Sequence, residues 1–169
     1  MNAMKQDSVV DFGGLYQTYA RDLYRFALFL SGNPAHAEDI VSETFIRLWN
    51  ARSRVDLTTV KAYLFTIARN LFLQQKRTAG RQVELGEEVH SRLPGPDQQA
   101  QSRSELKDVL AALQTLPEVD RAAVLMRADD GMSYDDIAAA LGISAGAAKV
   151  KVHRARLMLA RTISRKENL

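Results

Sequence analysis

Apolar positions recur along this chain almost everywhere at helical spacing. Phe12, Leu15, Tyr16, Tyr19, Leu23, Phe26, Ala27 and Leu30 mark one face of a first amphipathic helix, and Gly32 is placed to stop it. Asn33-Pro34 reads as an N-cap followed by proline at the first helical position. Ile40, Val41, Thr44, Phe45, Leu48 and Trp49 then form one apolar stripe, while Glu38, Asp39, Ser42, Glu43 and Arg47 project elsewhere. A loop from Ala51 to Thr58 leads to a third helix, with Val60, Tyr63, Leu64, Ile67, Ala68, Leu71 and Phe72 inward. Nothing alternates with period two over a useful length, so no sheet is expected.

The pattern breaks between Ala79 and Asp97. Leu93-Pro94-Gly95-Pro96 will not continue a helix, and few large apolar residues fall nearby. Helix resumes through Leu106, Val109, Leu110 and Leu113, turns at Leu116-Pro117, and runs on through Val119, Ala122, Ala123, Leu125 and Met126 to Asp130-Gly131. The fold class expected is all-α: two small helical domains, 10–79 and 98–165, joined by a flexible linker at 80–97. Halves of about 70 residues bury small cores, so each alone should be modestly stable.

The C-terminal half carries the clearest local geometry. Ser133 is an N-cap with Asp136 at the capping-box position, Tyr134 to Leu141 is one short helix, and Gly142 permits the left-handed turn that ends it. Ile143 fills the corner, and Ser144 caps a longer helix with Ala148, Val152, Ala155 and Leu159 on its inner side. Short helix, glycine turn and longer basic helix make a helix-turn-helix. Its second helix presents Lys149, Lys151, His153, Arg154 and Arg156, cations suited to phosphates and to base edges in a major groove.

Charge sharpens the picture once it is divided. The net formal charge is only +3, but residues 47–81 hold eight basic side chains and one acidic. Residues 82–120 reverse to three basic and eight acidic, and 144–169 return to seven basic and one acidic. Two basic segments in separate modules suit a polyanion contacted at two places. The other reading of each is the solvated face of a helix. Hydrophobic residues at 46% and charged residues at 25% describe an ordinary globular chain. No cysteine is present, which removes disulfides, thiolate metal sites and cysteine catalysis. Histidines occur only at 36, 90 and 153, with no metal, phosphate-loop or nucleophile motif, so no catalytic residue, metal or cofactor is expected. No apolar run approaches a membrane span and no secretory h-region is seen, which points to the cytoplasm.

With these residues in place, a resemblance emerges. Leu116-Pro117-Glu118, Gly131-Met132-Ser133-Tyr134-Asp135-Asp136-Ile137-Ala138, Leu141-Gly142-Ile143-Ser144 and Val152-His153-Arg154-Ala155-Arg156 resemble region 4 of the bacterial extracytoplasmic-function sigma factors. The run from Ala37 to Trp49 resembles region 2.2 of that family, and Tyr63 to Leu71 resembles its region 2.4 helix. The resemblance implies a non-enzymatic specificity subunit with core RNA polymerase and promoter DNA as partners. It implies a polymerase-binding face at Glu38, Asp39, Ser42, Glu43, Arg47 and Trp49. It implies capture and melting of the −10 element by Arg52, Arg54, Lys61, Tyr63, Arg69, Asn70, Lys76 and Arg77. It places the −35 element on Ser144, Ala147, Lys149, Val150, Lys151, His153, Arg154 and Arg156.

Some roles stay open on the residues alone. Tyr63 suits core packing as well as stacking, and Trp49 is expected to be at least half buried. Ala147, Val150 and Lys151 stand where the family often has Thr, Ser and Arg, which puts the −35 preference in doubt but not DNA binding. Many members of the family are held by an anti-sigma factor clamped on both domains, and a hinge at 79–96 would permit that, although nothing in the sequence identifies such a partner. The alternative function is a polymerase-independent helix-turn-helix regulator, which would dimerise on palindromic half-sites. No dimerisation stripe is evident, so the free chain is expected to be a monomer.

Overall fold

The computed structural model describes residues 10–82 and 98–169, and the expected linker lies mostly outside them. Seven helices and no strands occur among the described residues: α1 Phe12–Ser31, α2 Pro34–Ala51, α3 Val60–Gln82, α4 Gln98–Gln114, α5 Glu118–Ala128, α6 Tyr134–Leu141 and α7 Ala145–Glu167. Local chemistry sets most boundaries. Asp11 caps α1 by accepting from the Gly14 N–H at 3.0 Å, and Gly32 ends it in the left-handed region at φ 70°. Asn33 Oδ1 accepts from the N–H groups of Ala35 and His36 ahead of α2. Ser133 and Ser144 cap α6 and α7 through the N–H groups of Asp136 and Ala147, each at 3.1 Å. Gly142 turns between them at φ 65°.

In the first half α1, α2 and α3 pack on one another. Leu23, Phe26, Leu30, Ile40, Leu48, Leu64 and Phe65 are fully enclosed, with the Phe26 and Phe65 rings 4.9 Å apart. Each such side chain contributes about 1.5–3 kcal/mol. Thr44 is also enclosed, and its hydroxyl donates to the Ile40 carbonyl at 2.6 Å. In the second half Met126, Ile137, Ala148, Val152 and Ala155 hold α5, α6 and α7 together. The two cores do not stay apart. Buried apolar residues of both halves form one continuous cluster, because α1 packs on α4 and α5 while α3 packs on α6.

Four local details differ from the sequence pattern. Helix α3 continues through Gly80 to Gln82, into the stretch expected as linker. Phe65 is enclosed although it lies off the predicted stripe, because α3 has neighbours on three sides: α1, α2 and α6. Tyr16 belongs to the predicted stripe but stays half exposed, resting its ring 4.8 Å from Phe45. Leu106 and Val109 are exposed as well, since α4 meets its neighbours mainly through Ala112 and Leu113. No helix among the described residues is long and apolar enough to cross a membrane.

Two glycines of the second half, one in a turn and one in a helix, make a clean comparison. A Cβ on Gly142 meets nothing within 4 Å, so Gly142→Ala should lose about 1 kcal/mol from left-handed strain alone. Gly146 lies inside α7 with equally open space, so Gly146→Ala should gain up to about 1 kcal/mol in the same urea denaturation series.

Candidate nucleic-acid interface

Helix α7 has two chemically distinct sides. Ala148, Val152 and Ala155 are small enough to let it lie close against α5 and α6. Lys149, Val150, His153 and Arg156 face solvent on the other side. Lys149 also lies 5.6 Å from the centre of the Tyr134 ring, and Arg127 lies over the same ring at 4.5 Å. Lys151 and Arg154 are held differently. Arg154 donates to both oxygens of Asp120, from Nε at 2.6 Å and Nη2 at 2.8 Å, and Lys151 Nζ reaches Asp120 Oδ1 at 3.4 Å. The Asp120 carboxylate, on α5, is wholly enclosed. Hydrogen bonding from Arg154 outweighs burial and holds its pKa below the usual carboxylate range.

A second basic surface lies on the first half. After α2, Arg52 donates to the Trp49 carbonyl at 2.8 Å and stacks its guanidinium 4.2 Å from the Trp49 ring centre. Trp49 is 48% exposed, with its ring edge-on to Phe12 at 5.2 Å. Beyond it, Ala51, Arg54, Val55, Asp56, Thr59 and Tyr63 line an open cavity of about 500 Å³. Asp56 shapes the loop by accepting from the Thr58 N–H and hydroxyl, which lowers its pKa. Asn70, Lys76 and Arg77 are exposed along α3. On the outer face of α2, Asp39, Ser42, Glu43 and Ile46 border a groove with Leu71 and Gln75 of α3. Arg47 bonds Glu43 at 3.2 Å and Gln74 at 3.4 Å, tying α2 to α3 at this face.

Two basic residues of the first half are already engaged by the second. Arg69 donates to both oxygens of Glu118, at 2.8 and 2.9 Å, and both side chains are only about one-eighth exposed. Lys61 donates to the Asp130 backbone carbonyl. Nearby, Arg25 pairs with Asp129 at 2.6 Å. Asp130 is partly buried, its Oδ2 is enclosed with no hydrogen-bond partner, and burial pushes its pKa up to about 7. Arg121 crosses between the halves too, donating to the Leu30 carbonyl and to Gln114 Oε1, and burial lowers its pKa.

Comparison with known proteins matches both surfaces to one family. The family model for sigma-70 region 2 matches residues 15–82, and that for sigma-70 region 4 matches residues 106–159. The chain belongs to the sigma-70 family. It is 36% identical over 159 residues to the extracytoplasmic-function RNA polymerase sigma factor SigE of Mycolicibacterium smegmatis, across 91% of this chain and 62% of that protein's length. It is 37% identical over 138 residues to the extracytoplasmic-function sigma factor EcfG of Rhodopseudomonas palustris, across 81% of this chain and 76% of the other. The structure of the sigma factor RpoE from Bartonella quintana, solved in complex with the anti-sigma factor NepR, superposes with a TM-score of 0.78 at 33% identity, over 91% of this chain and 97% of that one. CnrH, solved with the cytosolic domain of CnrY, gives a TM-score of 0.69 at 25% identity, over 90% and 87%.

Within this sigma factor, the structure sorts the expected site residues by availability. Glu38, Asp39 and Ser42 lie together on the open face of α2, beside the Glu43–Arg47 pair. Arg54 and Tyr63 line the loop cavity, Arg52 is stacked on Trp49, and Asn70, Lys76 and Arg77 lie further along α3. Lys61 and Arg69 are turned to the other half instead. Ser144 spends its oxygen as the α7 cap, and Ala147 offers the N–H that it accepts. Lys151 and Arg154 were expected to face outward; both pair with the Asp120 carboxylate of α5, Lys151 as a mostly covered side chain and Arg154 as one still half exposed. Sequence reasoning missed Asp120, Glu118 and Asp130. The only signal was an acid inside an apolar run, Val119-Asp120-Arg121-Ala122-Ala123, which does not name its partners.

These ion pairs make two stability predictions. Arg154→Ala leaves the enclosed carboxylate with only the longer contact from Lys151 and should destabilise the fold at pH 7 more than Asp120→Asn does. Asp120→Asn leaves cations that can reach water and should cost only about 1–2 kcal/mol. Because the Asp120 pKa is lowered, its contribution is present above the ordinary carboxylate value and lost below it, so the two variants should converge in denaturant melts toward pH 3. Asp130 works in the opposite direction. Its raised pKa makes folding weaken as pH climbs from about 4 to about 7, so Asp130→Asn should raise the melting temperature at pH 8 and change little at pH 5.

Proposed function

We propose that this sigma factor binds core RNA polymerase and directs it to promoters, with residues 10–79 acting as region 2, 80–97 as linker and 98–165 as region 4. The observation that carries the reading is the division of α7. Its inner side is locked to α5 and α6 by small residues and by Asp120, while Lys149, Val150, His153 and Arg156 stand free on a capped, 23-residue helix. That is the shape a major groove accepts. Lys149 and Arg156 supply phosphate contacts that set register, Val150 offers apolar contact to a thymine methyl, and His153 reaches base edges. Lys151 and Arg154 hold the helix in place and reach DNA only at its margin.

Region 2 supplies the other contact. Arg52, Arg54, Lys76 and Arg77 give an electrostatic track for a single strand, and the cavity beside Tyr63 gives an unstacked base somewhere to go. Asn70 adds a donor and an acceptor along the same helix. Glu38, Asp39, Ser42, Glu43, Arg47 and the half-exposed Trp49 form a mixed-charge face for polymerase, where charge sets register and on-rate. The reading contains no catalytic step by this chain. It places the protein in the cytoplasm as a monomer when free, with an anti-sigma factor as a further partner.

Run-off transcription with core polymerase, on promoters upstream of the protein's own gene, tests this directly. Protein-dependent transcripts with a defined start are expected. Lys149→Ala should weaken promoter binding across sequences and reduce the salt slope by about one. Asn70→Ala should slow strand opening while leaving duplex binding intact. Neither transcripts nor binding to core polymerase would leave a polymerase-independent regulator as the better reading.

A further inference from the structure

A cavity of about 310 Å³ opens where α3 passes the start of α2 and the α4–α5 corner. Ser31, His36, Gln75, Lys76, Gln114 and Arg121 supply its polar lining, and no carboxylate lines it. Arg121 is 5% exposed and still carries its charge. Its Nη1 donates to the Leu30 carbonyl and Gln114 Oε1, its Nη2 to the Leu116 carbonyl, and its Nε is enclosed without a partner. All of these acceptors are neutral. Glu118, the acid whose field Arg121 feels, is taken up bidentately by Arg69. A buried charge held by neutral groups alone is costly, and a counter-anion relieves the cost.

The rest of the lining fits such an anion. Among the described residues, the Lys76 and His36 side chains have no hydrogen bond or ion pair. His36 lies in the first turn of α2, whose dipole adds positive potential. The walls are held in place by their own bonds. Gln114 Nε2 donates to the Phe29 and Leu30 carbonyls at 3.3 Å, and the Ser31 hydroxyl donates to the Ala27 carbonyl at 2.7 Å. Gln75 Oε1 is enclosed without a donor, and turning that amide over offers its NH2 instead. We propose that this cavity binds a phosphate group, either the free ion or the terminal phosphate of a small molecule. Lys76 and His36 reach its oxygens, and the enclosed Arg121 acts through its field. These groups stand on three helices, α3, α2 and α5, which suits the several oxygens of a phosphate better than the two coplanar oxygens of a carboxylate. Because the lining comes from both halves, the ligand binds their joined arrangement and stabilises it.

Calorimetric titration of the full chain at pH 7 and fixed ionic strength, with inorganic phosphate and with pyrophosphate, tests the site. One saturable site per chain is expected. Lys76→Gln should weaken it about tenfold, the size of one charge-assisted hydrogen bond. Arg121→Gln should weaken it as well, and its melt without ligand reports whether that variant still folds. Lys107→Gln, the same charge change on an exposed stretch of α4 away from the cavity, should leave the affinity unchanged. Phosphate should raise the melting temperature of the parent chain and of Lys107→Gln, and scarcely that of Lys76→Gln. Tighter binding of pyrophosphate assigns the site to the terminal phosphate of a small molecule, and tighter binding of phosphate assigns it to the free ion. No saturable binding of either probe, or an affinity that Lys76→Gln leaves unchanged, overturns the site. Equal weakening by Lys107→Gln and Lys76→Gln means attraction to net positive charge alone and overturns it too.

Discussion

Helix α5 has no solvent side between Asp120 and Met126, and the rest of the molecule is arranged around that fact. Seven consecutive buried residues on an 11-residue helix require neighbours all round. Helices α6 and α7 cover one side, and α1 and α4 cover another. Enclosure is cheap for Ala122, Ala123, Val124, Leu125 and Met126. It is expensive for the charges at the helix start, which must find partners or destabilise the fold. They find them in three directions: Glu118 on α3, Asp120 on α7, and Arg121 on the Leu30 carbonyl near the end of α1 and the Leu116 carbonyl at the α4–α5 corner.

Those three charges tie α5 both to its own half and to the other. Asp120 fixes the recognition helix, and that pairing must persist wherever region 4 goes. Glu118 and Arg121 tie the second half to the first. The first contact is wholly enclosed on the carboxylate side and joins elements of one module. The second lies at the seam, near Asp130, whose Oδ2 is enclosed without a hydrogen-bond partner and whose pKa burial raises to about 7.

Much of this was readable from residue pattern. Helix boundaries at Gly32, Asn33, Ser133, Gly142 and Ser144 follow from backbone freedom and short capping side chains, which act within three or four residues. The helix-turn-helix and the inner stripe of α7 follow from periodicity, because a helix covered on one side repeats its apolar positions. Where a helix is covered on several sides, periodicity blurs, which is why Phe65 escaped notice. Where it is scarcely covered, as on α4, an apolar stripe overstates burial.

The sequence by itself determined seven helical segments in two groups, the caps that separate them, and which surfaces carry excess positive charge. All of these depend on interactions spanning a few residues or on simple counting. Only the tertiary structure decided which cations are free. Arg69 and Glu118 are 49 residues apart, and Arg154 and Asp120 are 34 apart. Nothing local ties such residues together. A guanidinium on a helix face looks the same in sequence whether it meets water, phosphate or a carboxylate from another module, and that difference separates the open part of the DNA surface from the part the chain keeps for itself.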